Sequence, residues 1–258
     1  MVLVACVALL AGSAFAQSLG DRRREPDVLR WNGPVNAKMV EVLRDAPASI
    51  RTLNITSLGG EFDAAIAVAR LIRERELKVV VSGACLSVCA HYLFASAVAR
   101  EVLPHTIVGF HNTPSSAFWM MQAVPAAAAK FESRMRLEDG LYESWKIDHT
   151  LLLRPQLAIR TSCYSVDLTD DSTIRSLQFK SPFSVWVPSK GFMARAGITF
   201  DGYWPIVPGQ AAAEFEAVKR EAPRIGPSVF GESDGPEEAE QSYDALKRQL
   251  SRISGCAR

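Results

Sequence analysis

The sequence has almost no net charge, and this lack excludes two classes of partner. Its 29 basic and 28 acidic residues give a formal charge of +1 over 258 residues. Proteins that attract nucleic acid or an acidic membrane surface over a distance carry a clear excess or cluster of Lys and Arg. We therefore expect neither nucleic acid nor an anionic lipid surface as a partner.

The apolar run at the N-terminus is too short to cross a bilayer, since it spans about 15 residues and a transmembrane helix needs roughly 20. Ala-Phe-Ala before Gln17 is typical of a signal-peptidase site. We expect residues 1–16 to be a signal peptide cleaved after Ala16, which places the protein in the periplasm or outside the cell. Because the run lacks Lys and Arg, either the free amino terminus supplies its charge or the true start lies upstream. The alternatives are an uncleaved anchor and lipoprotein processing at Cys6.

Cysteine is scarce, and signal-peptide cleavage would make its number even. It would remove Cys6 and leave Cys85, Cys89, Cys163 and Cys256 in a compartment that permits disulfides. Four cysteines allow three full pairings, and the sequence does not choose among them. Cys163 with Cys256 is one candidate pair.

Cys85 and Cys89, with His91 nearby, match part of a zinc site, which takes four ligands. No fourth ligand is apparent nearby, so we expect no metal. In a regular helix, Cβ atoms four residues apart lie ~5–6 Å from each other, farther than the roughly 3.5–4.5 Å across a disulfide. A bridge between these cysteines therefore requires Cys85 to precede the first helical turn, which a turn at Gly83 permits.

The first half of the chain alternates between two patterns. Segments rich in β-branched residues predict strands, and segments with apolar residues at helical spacing predict helices. The predicted strands are 28–31, 50–57, 78–82 and 101–110, and the predicted helices are 35–43, 62–75 and 85–97. This order is typical of βαβ units in an α/β fold with a largely parallel sheet, whose ligands bind at the carboxyl ends of the strands.

The second half predicts fewer strands. We expect a long helix over 116–145, a polar irregular segment over 161–181, a strand at 185–187, a helix over 189–196 and an extended piece at 198–200. No repeat appears, and 48% hydrophobic residues suffice for one core, so 17–222 is predicted to be one domain.

Residues 223–258 are predicted to be a linker followed by an appended amphipathic C-terminal helix. The helix carries an apolar stripe that must pack either on the chain's own body or on a second subunit, in a homo-oligomer. The stripe consists of Ala239, Tyr243, Leu246, Leu250 and Ile253.

Three features of the sequence converge on the carboxyl edge of the predicted sheet. Acyl transfer needs a nucleophile, a base and N–H donors aimed at the developing oxyanion. Ser87 stands where a glycine turn becomes a helix, Gly59-Gly60 allows close backbone approach, and His111 ends the next strand. Taken alone, Ser87 would be a buried small residue or a helix cap. Its register with the glycine pair and the histidine favours a nucleophile.

Residues 55–113 resemble the Clp protease proteolytic subunit, within the wider ClpP/crotonase fold. That family's strand, proline-glycine-glycine turn and helix are similar to ITSLGGEFDAAIAVARLIRE, with Leu58 in place of the proline. Its segment around the nucleophilic serine is similar to GACLSVCAHYLFAS, and its strand before the catalytic histidine is similar to REVLPHTIVGFHN. The resemblance implies a spiral of repeated βαβ units. It also makes Ser87 the nucleophile and His111 the base, with the oxyanion hole formed at Gly60 and Val88.

The sequence departs from the family at the acid that orients the histidine. The matching position, counted back from Gly197, is Val185, so the expected aspartate is missing. Asp167, Asp170 and Asp171 lie upstream and would reach the site only if the intervening loop folded back. The export signal and the two cysteines on either side of Ser87 are similar to those of secreted, periplasmic ClpP-like proteins, and because the periplasm has no ATP supply we expect no ATPase partner.

These observations predict a secreted ClpP-like serine hydrolase, a peptidase that acts on peptides or proteins without a cofactor. The alternative is a catalytically impaired member of the same fold that binds peptides or an envelope protein. A crotonase-type acyl-CoA enzyme shares the fold and its oxyanion turn, but export argues against it because CoA thioesters are cytosolic.

Overall fold

The structure is a computed structural model, and it describes residues 27–169, 174–205, 216–220, 228–230 and 241–256. Its strands are β1 (Val28–Asn32), β2 (Thr52–Ser57), β3 (Lys78–Leu86), β4 (Ala99–Val102), β5 (Ile107–Gly109), β6 (Cys163–Leu168), β7 (Ile174–Lys180), β8 (Val185–Val187), β9 (Asp201–Gly202), β10 (Ser228–Phe230) and β11 (Ser254–Gly255). Its α-helices are α1 (Ala37–Asp45), α2 (Phe62–Glu74), α3 (Pro114–Met120), α4 (Pro125–Trp145), α5 (Thr150–Ala158), α6 (Lys190–Arg195), α7 (residues 216–220) and α8 (Tyr243–Leu250). A π-helix spans Cys89–Phe94, and a short 3-10 helix spans Met121–Ala123.

The main sheet is parallel throughout. Its strands lie in the order β1-β2-β3-β4-β9, and β5 also pairs with β3. β3 is long enough for two neighbours on one side, since Lys78–Val81 pairs with β4 and Ala84–Leu86 pairs with β5. Helices connect the first four strands, as parallel pairing requires. The predicted α/β class with a parallel sheet is confirmed, and the carboxyl ends of the strands meet at one edge.

Burial explains why the first segments form these elements. β2 alternates, with Leu53, Ile55 and Ser57 buried and the side chains between them partly exposed. β3 has three consecutive buried valines in its first half because the sheet is covered on both faces there. The side chain of Asn36 caps α1 by accepting a hydrogen bond from Met39 N at 3.2 Å.

Three predicted elements have different bounds in the structure. The strand predicted at 101–110 is two strands, β4 and β5, separated by a turn in which His105 adopts a φ of 58°. The helix predicted at 116–145 is interrupted before α4, which begins at Pro125, the residue best suited to a first turn. The helix predicted from Cys85 begins later, because β3 continues to Leu86.

The segment 161–181, predicted to be irregular, contains an antiparallel hairpin of β6 and β7. Most of its side chains alternate between a buried or partly buried face and an exposed face, and the exposed face is polar. β11 pairs with β6, and a disulfide joins Cys163 to Cys256 directly after β11. This disulfide fastens the C-terminal segment to the hairpin.

The C-terminal helix α8 docks on the chain's own body, against α3 and α5. Leu246 and Leu250 are fully buried there, and Tyr243 Oη donates a hydrogen bond to Asp139 Oδ1 at 2.9 Å. Ala239, also predicted to belong to the stripe, lies outside the described residues. No helix in the described ranges is both long and apolar enough to span a bilayer.

Replacing Leu246 by Ala tests this docking. Because the side chain is fully buried, we expect the free energy of unfolding to fall by about 2–5 kcal/mol. Chemical denaturation followed by circular dichroism measures it. The control is Leu58→Ala at a side chain that is 46% exposed, where a loss below about 1 kcal/mol is expected. Equal effects of the two substitutions would contradict the docking.

Candidate active site

Ser87 occupies a strained turn between β3 and the π-helix. Its φ is 59°, in the left-handed region that residues other than glycine rarely adopt. Ser87 N donates to Gly109 O at 3.0 Å, and Ser87 O accepts from His91 N at 3.0 Å. Such a conformation costs of order 1–3 kcal/mol and clusters at functional sites, as π-helical turns also do. The strand, the neighbouring strand and the helix together hold Ser87 at the carboxyl edge of the sheet.

A disulfide joins Cys85 to Cys89 and so brackets Ser87. The bond is compatible with the backbone because Cys85 still belongs to β3, whereas Cys89 begins the π-helix, and their Cα atoms are 5.2 Å apart. Both cysteines are fully buried. The disulfide therefore closes residues 85–89, with Ser87 at their centre, into one small covalent ring.

The glycine pair after β2 packs between Ser87 and the start of α1. A Cβ built on Gly59 would lie 2.8 Å from Ser87 Cβ, and one built on Gly60 would lie 2.0 Å from Val35 O. Both positions have positive φ, 111° and 156°. Glycine is therefore required at each position, by Ser87 at the first and by the Val35 backbone at the second.

The two N–H groups expected to form an oxyanion hole have no protein partner among the described residues. Gly59 O accepts from Val35 N at 2.8 Å, and the following peptide is trans, so Gly60 N–H points away from Val35. Val88 directly precedes the π-helix, where backbone N–H groups have no partner within the helix. Both groups are available to an oxygen atom at the edge of the sheet.

His111 follows β5 and lines a cavity of about 280 Å³ with Asn112, Gln156 and Ser184. The preceding residue, Phe110, is held by paired backbone hydrogen bonds with Trp186 of β8, at 2.7 and 2.8 Å. Burial among protein atoms lowers the pKa of His111 to about 4, against a smaller opposing effect of the hydrogen bond that the imidazole donates to the Asn112 side chain. The imidazole is thus neutral at pH 7.

The described residues contain no hydrogen bond between Ser87 Oγ and His111, and none between His111 and a carboxylate. Asp167, a candidate acid, lies on β6 and pairs instead with Arg175 at 3.5 Å. The other candidates, Asp170 and Asp171, lie outside the described residues. Asp167 therefore does not orient the histidine in this structure.

Val185, at the position expected to hold the acid, lies beside β5. It is 4% exposed, and a Cβ built on Gly109 would be 3.2 Å from Val185 Cβ. The position thus faces the strand that leads to His111, but it carries an apolar side chain.

His91 links both candidate catalytic residues. Its backbone N–H bonds to Ser87 O, and its Nε2 lies 2.8 Å from His111 O. Tyr142 of α4 holds it from behind, donating from Oη to His91 O at 3.1 Å. Burial lowers the pKa of His91 to about 3, so the ring is neutral and donates from Nε2 to the carbonyl. His91, considered from the sequence only as a zinc ligand, is a structural tie between the serine turn and the histidine loop.

Glu138 is a second buried polar residue that sequence reasoning missed. It is fully buried and accepts hydrogen bonds from Tyr92 Oη and from Ser115 N, the latter at 2.6 Å. It connects α4 to the π-helix and to α3. Burial raises the pKa of its carboxyl group to about 7, although these hydrogen bonds act in the opposite direction. The sequence does hold a hint of this buried position, because Glu138 and Tyr142 are four residues apart and so share one face of α4.

Among the described residues, no group of three or more His, Cys, Asp and Glu side chains could hold a metal ion. Cys85 and Cys89 bond to each other, and both ring nitrogens of His91 face protein oxygens. In the described part of the chain, the candidate active site thus consists of a serine, an imidazole and backbone N–H groups.

No protein-family model matches the sequence, and no curated protein does. Among solved structures, a mutant of ClpP1 from Listeria monocytogenes is 18% identical over 46% of this chain and 72% of that one, with a TM-score of 0.36. A mutant of 1510-N, a membrane-bound stomatin-specific protease, is 13% identical over 32% of this chain and 45% of that one, with a TM-score of 0.27. Similarity at this level assigns no function to the chain.

Glu138 predicts a pH dependence of stability. Its pKa is about 7 in the folded protein and 4.5 as its ordinary value, so between these values the folded state binds more protons than the unfolded chain. The free energy of unfolding should therefore fall as the pH rises from 4.5 to 7. Denaturation at several pH values measures this slope. Glu138→Gln should flatten this slope. The control is Glu143→Gln, at an exposed position of the same helix, which should leave the slope as it is. An unchanged slope in Glu138→Gln would contradict the raised pKa of Glu138.

Proposed function

We propose that the protein is a secreted or periplasmic serine peptidase with a ClpP-like spiral of βαβ units, and that Ser87 is its nucleophile. The observation that carries the proposal is the left-handed φ of Ser87 at a strand-to-helix junction, with Gly59 directly against its side chain. A turn of this kind presents a serine oxygen at the edge of a sheet, next to the N–H groups of the following helix. Two disulfides support export to an oxidising compartment.

The proposed chemistry is acyl transfer in two stages. His111 takes the proton of Ser87 Oγ as the oxygen attacks the substrate carbonyl carbon, and a C–O bond forms. The C–N bond then breaks, and His111 gives the proton to the leaving amine. Water attacks the acyl-enzyme with His111 again as base, the ester C–O bond breaks, and the proton returns to Ser87 Oγ.

Backbone dipoles stabilise the negative charge that develops on the carbonyl oxygen. Gly60 N–H and Val88 N–H both lack a partner in the described part of the chain, and the start of the π-helix adds a positive electrostatic potential. Donors fixed in this way contribute the largest single effect in many acyl-transfer enzymes. Because Gly60 is locked against Val35, its N–H is oriented before substrate binds.

Within the described residues, the proposed site consists of a serine and a histidine, and no carboxylate bonds to the imidazole. Orientation of His111 instead comes from Asn112, from the Phe110–Trp186 backbone pairing and from the His91 bond to its carbonyl. A serine–histidine site of this composition retains part of the rate of a full triad, because the oxyanion hole and substrate binding contribute independently. We therefore expect a slow peptidase.

The second candidate is a peptide-binding protein of the same fold that has lost catalysis. The observation in its favour is Val185, which places an apolar side chain where the acid is expected. The two candidates differ in whether Ser87 reacts.

Labelling with a fluorophosphonate probe distinguishes them. We expect the probe to modify Ser87 of the purified protein, because the neutral His111 activates its hydroxyl. Mass spectrometry of the labelled peptide identifies the site. Ser87→Ala and His111→Gln should each abolish labelling, whereas Ser144→Ala, at an exposed position of α4, should not. Failure of the wild-type protein to label would favour the binding protein.

The low pKa of His111 predicts an unusual pH profile. The base is active when neutral, so kcat/KM should rise through pH about 4 and remain level through neutral pH. Initial rates of amide or ester hydrolysis between about pH 3 and 8 measure this profile. This range includes the ordinary pKa of histidine, about 6.5. An acidic limb near 6.5 would show that the ring is solvated rather than buried.

A further inference from the structure

The cavity beside His111 has a buried amide side chain in its wall, on α5. Gln156 lines this cavity together with His111 and is fully buried. A second contact joins α5 to the histidine loop, because Thr113 Oγ1 donates a hydrogen bond to Leu152 O at 2.8 Å. Leu152 and Gln156 are four residues apart in α5 and so share one face of the helix. That face is therefore turned toward the loop that carries His111.

The two ends of the Gln156 amide differ in their partners. Nε2 donates a hydrogen bond to Thr161 Oγ1, and the Thr161 hydroxyl lies 2.8 Å from Ser181 Oγ, to which it can donate its own proton. Oε1 is buried and has no hydrogen-bond partner among the described residues. A buried acceptor without a partner costs about 1–3 kcal/mol, and an apolar side chain of the same length would avoid this cost. The unpaired oxygen therefore points to a ligand with a hydrogen atom to donate.

We propose that Gln156 Oε1 accepts a hydrogen bond from the water molecule that hydrolyses the acyl-enzyme, and that it positions this water for attack. The inference rests on the proposed function and adds a residue that acts in its second stage. His111 must contact the same water, because it takes one of the water's protons. The cavity of about 280 Å³ that His111 and Gln156 both line has room for this water, whose share of the liquid volume is about 30 Å³.

The hydrolytic step balances with these groups. As the water oxygen bonds to the acyl carbon, one hydrogen passes to His111 as a proton and the other stays hydrogen-bonded to Gln156 Oε1. The ester C–O bond then breaks, His111 returns its proton to Ser87 Oγ, and the acid product leaves with the second hydrogen. An amide oxygen suits this role because it accepts a hydrogen bond without competing with His111 for the proton. A glutamine orients the attacking water in GTP hydrolases in a similar way.

An activated ester isolates this step. A p-nitrophenyl ester acylates a serine faster than an amide does, and its leaving group has no N–H to donate, so acylation does not need Gln156. The wild-type protein should release a burst of about one equivalent of p-nitrophenol, followed by a slower rate set by hydrolysis. Gln156→Met, which nearly conserves the side-chain volume, should retain the burst and kcat/KM. It should lower kcat by at least about tenfold, with KM falling in proportion. Stopped-flow absorbance measures both phases, and intact-protein mass spectrometry should show a longer-lived acyl group on Ser87.

The matched control is Thr161→Val, which separates the chemical role of the amide from its packing. Both variants break the hydrogen bond between Gln156 Nε2 and Thr161 Oγ1, but Gln156→Met also removes the acceptor. Thr161→Val should therefore leave kcat for the ester close to the wild-type value. Gln156→Glu keeps an acceptor oxygen and should lose less of kcat than Gln156→Met. Equal losses of kcat in Gln156→Met and Thr161→Val, or in Gln156→Met and Gln156→Glu, would overturn the proposal.

Fluorophosphonate labelling keeps the two proposals distinguishable. The probe reacts with the serine and needs no water, so Gln156→Met should label at the wild-type rate. If the wild-type protein labels and shows a burst, an unchanged kcat in Gln156→Met would overturn the role of Gln156 and leave the peptidase standing. Absence of both labelling and burst in the wild-type protein would overturn the peptidase, and the role of Gln156 with it.

Discussion

The candidate active site depends on one steric constraint: the backbone at Gly59 and Gly60 packs closely between the Ser87 turn and the segment before α1. Gly59 lies against the Ser87 side chain, and Gly60 lies against the Val35 backbone. A side chain at either position would separate β2 from the serine turn or from the start of α1. Since Gly60 N–H owes its direction to the bond between Gly59 O and Val35 N, the same contact that closes the first βαβ unit also aims a donor at the edge of the sheet.

Behind this edge, the protein holds its ionisable groups in neutral form. Burial lowers the pKa of His91 and His111 and raises that of Glu138, so each is uncharged over part or all of the neutral range. A neutral imidazole can accept a proton, and a neutral His91 can donate to a carbonyl without the cost of a buried charge. The polar layer between the π-helix, α3 and α4 therefore fixes positions through hydrogen bonds rather than through ion pairs.

Much of the sheet could be predicted from the sequence, and much of the site could not. The strands around Ile55 and Val80 follow from β-branched runs between helical patterns, and the parallel sheet follows from their order. The hairpin at 161–181 was missed because one of its faces is polar, so its alternation resembles a loop. The contact between His91 and the His111 carbonyl joins residues 20 apart, and no spacing rule links them. Gly59 could be placed near Ser87, but its direct contact with the serine side chain required the folded backbone.

The ring closed by Cys85 and Cys89 adds a covalent constraint to the turn that the backbone hydrogen bonds of Ser87 already hold. A chain with free thiols would need its own packing to hold a left-handed serine, whereas the bonded chain has fewer conformations to lose there. Thiols pair into disulfides where an oxidant is present and stay reduced in a reducing cytosol. If the protein is exported and Ser87 reacts as proposed, the turn would close covalently only after export, and the unexported chain would hold this serine through packing and hydrogen bonds alone. A hydrolase of the proposed kind would then gain the last constraint on its reactive serine in an oxidising compartment.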